Sequence, residues 1–99
     1  MATVVYLGDE WTAAGYRLAG ADARVVDEAR ASAAFERALA EQPTLLLIDA
    51  GLARVLDADR LERARSALAP PIAVVEDAAG HQQAESMTAR VRRRMGVAQ

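Results

Sequence analysis

Short apolar runs alternate with amphipathic stretches along the whole chain. The first run, Thr3-Val4-Val5-Tyr6-Leu7, is rich in β-branched residues and of strand length. It passes through Gly8-Asp9 into a short helix that ends at Gly20, a strand-turn-helix unit of the parallel α/β type. Ala23-Arg24-Val25-Val26 reads as a second strand. Residues 27–41 read as a helix, because Ala31, Phe35, Ala38 and Leu39 fall at helical spacing. Pro43 stops it, and Thr44-Leu45-Leu46-Leu47-Ile48 fits a strand covered on both faces. Asp49-Ala50-Gly51 turns the chain into a helical region over residues 52–68, interrupted around Asp57-Ala58-Asp59 and placing Leu61, Ala64 and Leu68 on one face. Pro70-Pro71 ends it, and Ile72-Ala73-Val74-Val75 is the fourth strand. Residues 76–83 form a polar loop. Residues 84–95 are helical again, with Met87, Val91 and Met95 in an i, i+4, i+8 stripe and Gly96 placed to end the helix.

Strands alternating with helices in this way predict an α/β fold. Right-handed crossovers make a four-stranded parallel sheet of order 2-1-3-4, with helices on both faces, the most economical arrangement. It is a shortened flavodoxin-like or receiver-like layout plus a C-terminal helix. Residues 1–83 are the sheet domain; residues 84–99 are the C-terminal helix, part of the same domain or a mobile appendage.

Composition narrows the chemistry. At 99 residues there is room for one core. Hydrophobic residues reach 53%, yet mean hydropathy is +0.00, because alanine supplies much of that fraction and buries little area. A net charge of −2 gives no global attraction to nucleic acid or an anionic membrane. Cysteine is absent, which excludes disulfides and thiolate chemistry. All twelve basic residues are arginine, so every lysine-dependent mechanism is excluded. No signal-type segment opens the chain and no window approaches the roughly 18 apolar residues that span a bilayer; a cytoplasmic location is expected.

Asp9 and Glu10 follow the first strand and Asp49 follows the third, so the topology brings them to one sheet edge, where ligands of doubly wound sheets bind. Receiver domains hold a divalent cation there beside an acceptor aspartate, but they also need a lysine, which this chain lacks. The plainer reading is that Asp9 and Asp49 cap helices. The glycine turn is not G-x-G-x-x-G and carries two acids that repel phosphate. His81 stands alone, and Ser66 and Ser86 have no base beside them, so no catalytic residue, cofactor or metal is assigned. Arg90-Val91-Arg92-Arg93-Arg94 has three readings: a protein interface around the Met87, Val91 and Met95 stripe, a solvated helix end, and a nucleic-acid contact. Trp11, the lone tryptophan, is either core or an interface anchor.

The stretch from Gly8 through Asp9, Glu10, Gly15, Tyr16, Arg17, Leu18 and Ala19 to Gly20 resembles the N-terminal signature of the F subunit of the V-type/A-type rotary ATPases (ATP synthases), with tyrosine where phenylalanine is usual. Ala89-Arg90-Val91-Arg92-Arg93-Arg94-Met95-Gly96-Val97 is similar to that family's closing arginine-rich helix. The resemblance implies a non-catalytic component of the central rotor stalk of a proton- or sodium-translocating ATPase. It would bind the coiled coil of the stalk's D subunit, help couple ATP hydrolysis or synthesis to rotation, and lie in the cytoplasm, peripheral to a membrane-bound complex. Partner contacts are then expected at Met87, Arg90, Val91, Arg94, Met95 and Trp11. The alternative is a degenerate receiver-like interaction module without phosphoacceptor activity.

Overall fold

Four short strands, the two central ones apolar and buried, set the architecture. They are β1 (Val4–Gly8), β2 (Asp22–Val25), β3 (Leu45–Asp49) and β4 (Ile72–Val75). A computed structural model describes residues 3–76 and pairs them all in parallel, in the order β2-β1-β3-β4. The connections are α1 (Glu10–Leu18), a 3-10 turn at Glu28–Arg30 leading into α2 (Ala31–Ala40), and the pair α3 (Ala50–Val55) and α4 (Ala58–Ser66). The expected fold class and strand order are therefore those observed. The C-terminal helix expected over residues 84–99 lies outside the described residues, as does most of the loop before it.

The register sorts side chains to two faces, because neighbours along a strand point opposite ways. Ala23, Tyr6, Leu47 and Ala73 sit side by side across the four strands and face α1. Val5, Leu46 and Ile72 form one row on the other face, and Leu7, Ile48 and Val74 form the next. That second face packs against Ala31, Phe35 and Ala38 of α2, Leu52 of α3, Leu56, and Ala64 of α4. Each large side chain fully withdrawn from water there contributes about 1.5–3 kcal/mol.

The helix boundaries follow local chemistry. Four aspartates each cap a helix by accepting from a backbone N–H within the next three residues: Asp9 from Thr12 (2.8 Å), Asp27 from Arg30 (3.0 Å), Asp49 from Gly51 (2.9 Å) and Asp57 from Arg60 (3.0 Å). α1 closes with the amide of Ala21 bonded to the carbonyl of Tyr16 and that of Gly20 to Arg17, both at 3.0 Å. This ending needs a left-handed residue, and Gly20 supplies it at φ 98°.

Three details differ from the sequence expectation. Strands β1 and β3 begin and end one residue later and β2 one residue earlier, because ladder partners such as Gly8 with Val25 set their limits, not the apolar run alone. The break in the third helical region falls at Leu56, an extended and buried residue, just ahead of the cap at Asp57. Leu68 does not share a face with Leu61 and Ala64, since α4 stops at Ser66 and Leu68 is fully exposed.

Candidate interaction site

The segment from Gly8 to Gly20 supplies the carboxyl end of β1, the turn and the whole of α1, and its residues divide into two groups. The first group holds the local fold. Gly8 lies against the Tyr6 ring so closely that a Cβ would overlap the phenol hydroxyl and Cζ. Asp9 binds both the amide and the hydroxyl of Thr12, at 2.8 and 3.1 Å. Ala13 is fully buried on the sheet, and Tyr16 stacks on Tyr6 with ring centroids 4.7 Å apart. Arg17 donates from Nε to the carbonyl of Ala23 (3.0 Å), tying the end of α1 to β2.

The second group faces solvent. Glu10, Trp11, Ala14, Gly15, Leu18 and Ala19 are all exposed, and Trp11 and Leu18 keep 77% and 92% of their surface. Of the two readings of Trp11, core or interface anchor, the core one is excluded by this exposure. Nothing stands within 4 Å of where a Gly15 side chain would begin. Spacing at i, i+3, i+4 and i+7 places Trp11, Ala14, Gly15 and Leu18 on one outward stripe. This inverts the usual amphipathic pattern, in which the outer face of a surface helix is polar.

The acids at the sheet edge are occupied differently from a cation site. Asp49 accepts from the amides of Gly51 (2.9 Å) and Leu52 (3.3 Å), as Asp9 does from Thr12. Glu10 is exposed at the start of α1. Among the described residues no group of three or more His, Cys, Asp or Glu side chains is arranged to hold a metal ion. Both carboxylates do act on Tyr6, whose fully buried hydroxyl has no hydrogen-bond partner. Burial first, then the negative charge of Asp9 and, less strongly, that of Asp49 push the phenol far above its usual range.

A groove of about 670 Å³ runs beside the edge strand, lined by Arg24, Val25, Val26, Arg30, Arg37 and Glu41 among others. Arg24 crosses it, binding Glu41 through two nitrogens (2.7 and 3.0 Å) and Asp22 at 2.8 Å. These bonds raise the Arg24 pKa and lower those of Glu41 and Asp22. Arg60 grips Glu36 in the same forked manner, at 2.6 and 2.7 Å.

The distinctive features of the described residues are the exposed stripe of α1 and the arginine-lined groove. The family described as the ATP synthase (F/14-kDa) subunit matches residues 4–95. The chain belongs to that family. Comparison with individual curated proteins finds no match. The ATP synthase family match spans the four strands and runs on through Met87, Arg90, Val91, Arg94 and Met95, which lie outside the described residues. Membership associates the chain with a rotary ATP synthase complex. Among the described residues, no helix is long and apolar enough to cross a membrane.

Sequence reasoning names Trp11 but misses Leu18, Ala14 and Gly15 as its companions. The signal is present: two apolar stripes run along α1, and only Ala13 and Tyr16 turn inward. A nine-residue helix on a single sheet face has room to bury one.

Proposed function

We propose that this chain is the non-catalytic F subunit of a V/A-type rotor stalk, gripping the coiled coil of the D subunit at the cytoplasmic face of the membrane. The carrying observation is the family match, which extends from the first strand to Met95 and so includes the arginine-rich stripe. In this reading Met87, Val91 and Met95 bury against the coil, Arg90 and Arg94 meet its acids, and Trp11 adds an anchor. Arginine suits that role because its planar fork pairs carboxylates at two points. The protein carries out no bond-making step; it helps couple ATP hydrolysis or synthesis in the catalytic head to rotation of the membrane ring.

The test is a pull-down with the coiled-coil D subunit using the full chain and a variant with Met87, Val91 and Met95 all changed to serine. Loss of retained partner supports the reading, and undiminished binding removes the tail from the interface. The receiver-like alternative fits the same sheet order, and the family match favours the stalk reading over it.

A further inference from the structure

Among the described residues, β2 pairs with β1 on one side and with no strand on the other. The Val26 amide bonds the Gly8 carbonyl (3.0 Å), so the carbonyl of the same peptide, that of Val25, points away from the sheet, and the Val25 amide lies on that outer side too. The outward carbonyl of Ala23 is already held by Arg17, which leaves Val25 as the open part of the edge. The groove of about 670 Å³ follows this edge, between β2 and the flank of α2. Val25, Val26, Ala33 and Ala34 supply its apolar lining.

The arginines of the groove divide in two. Arg24 is saturated, since it holds Glu41 through two nitrogens and Asp22 besides. Arg30 and Arg37 are exposed and join none of the ion pairs among the described residues. They stand two turns apart, about 10 Å along the helix. A chain of net charge −2 thus keeps two guanidinium groups without a counter-charge in one cleft.

From this arrangement we infer that the groove binds an acidic, extended segment of a partner polypeptide, paired with the edge at Val25 and held through two carboxylates by Arg30 and Arg37. The uncompensated cations select carboxylates, and the forked Arg24 to Glu41 pair shows how one is received in this cleft. The open backbone groups of Val25 select an extended chain over a helix, whose own backbone groups are already bonded. The apolar lining selects a polypeptide over a phosphate chain, which has no apolar side chain to bury there. Size agrees. From Arg30 to Glu41 the groove follows α2 for about 16 Å, the length of about five extended residues. A cleft within the range of roughly 300–1,000 Å³ holds such a ligand without a wider interface. Neither the tail nor the stalk partner enters into it.

The test titrates an octapeptide alternating glutamate with valine into the full chain labelled with nitrogen-15. A glutamine-valine octapeptide and inorganic tripolyphosphate are the comparison probes. The variant is Arg30→Gln with Arg37→Gln; both side chains are exposed and outside the ion pairs, so its Tm should be unchanged.

The acidic peptide should shift the amide signals of Val25, Ala33 and Ala34 and slow exchange of the Val25 amide. Its affinity should fall about tenfold or more in the variant, and the glutamine peptide should bind the native chain more weakly by a similar factor. No binding at millimolar peptide, equal binding of the glutamine peptide, or undiminished affinity in the variant overturns the inference. Binding that leaves exchange at Val25 unchanged removes the strand pairing and overturns it as well. Tighter binding of tripolyphosphate at the same residues reassigns the groove to phosphate anions. The same shifts on concentrating the free chain, with a doubled mass, assign the edge to a second copy. Either of these results also overturns it.

Discussion

The two faces of the sheet are built to different standards. One is sealed by three helices: α2, α3 and α4 close over Val5, Leu7, Leu46 and Ile48, each at most 1% exposed. The other, among the described residues, lies under the one helix α1, which contributes Ala13 and Tyr16 over Tyr6, Ala23 and Leu47. Tyr6 carries an unpaired hydroxyl on that side, and Leu45, Ala73 and Val75 are partly buried there, as Ile72 and Val74 are on the first face. The sealed face is where stability resides; the thin face is where polar irregularity and an outward apolar stripe are tolerated. A domain with one core can meet a partner on one side without risking the other.

The largest test strikes the sealed face. Phe35→Ala empties a site 1% exposed and should cost about 3–5 kcal/mol in urea unfolding. A cost as small as that of a surface change would break the distinction between the faces. On the thin face, Gly8→Ala drives a methyl into the Tyr6 phenol and should cost roughly 1–3 kcal/mol. Adding Tyr6→Phe should return part of this, since the hydroxyl is the nearest atom. Next comes Asp9→Ala, which removes the cap of α1 and should cost about 1 kcal/mol. Its hydrogen exchange should quicken in α1 and leave α2 unchanged.

Tyr6→Phe alone should be neutral or stabilising by less than about 1 kcal/mol, because a buried hydroxyl without a partner is desolvated for no return. It should also alter alkaline behaviour. Tyr6 has a raised pKa in the fold, so the unfolded chain loses its proton first as pH climbs past the ordinary tyrosine value of about 10. Stability therefore falls above that pH in the native chain, and less in the variant. The smallest effect is at acid pH. Asp22, Glu36 and Glu41 all have lowered pKa values, held down chiefly by bonds to Arg24 or Arg60. Their contribution is complete above the ordinary carboxylate range and fades as pH falls below it. These pairs are exposed and screened, so Arg24→Ala should move the acid limb of a Tm profile only slightly.

Much of the sheet can be read from the chain because its signals are local. Ile72 to Val75 is bounded by Pro71 on one side and Glu76 on the other, and β4 has those limits. Ala31, Phe35 and Ala38 fall on one helical stripe and are buried together. Other features depend on neighbours distant in sequence. Gly8 and Asp49 join their strands because Val25 and Val75 pair with them. Leu68 continues a helical spacing that the chain has already abandoned at Ser66. Trp11 is ambiguous in sequence for a stronger reason: α1 has an apolar stripe on each side, and tertiary packing alone chooses which one turns inward. The tail stripe is legible as a pattern, and it lies outside the described residues.

The strand made first is an inner strand. β1 hydrogen-bonds to β2 on one side and β3 on the other, so the first ribbon to leave the ribosome stays half-paired until Asp49 has emerged. At roughly 5–20 residues per second of synthesis, that is a wait on the order of seconds. Assembly of this domain is thus gated by its midpoint, and a nascent chain truncated before β3 has no sheet to close.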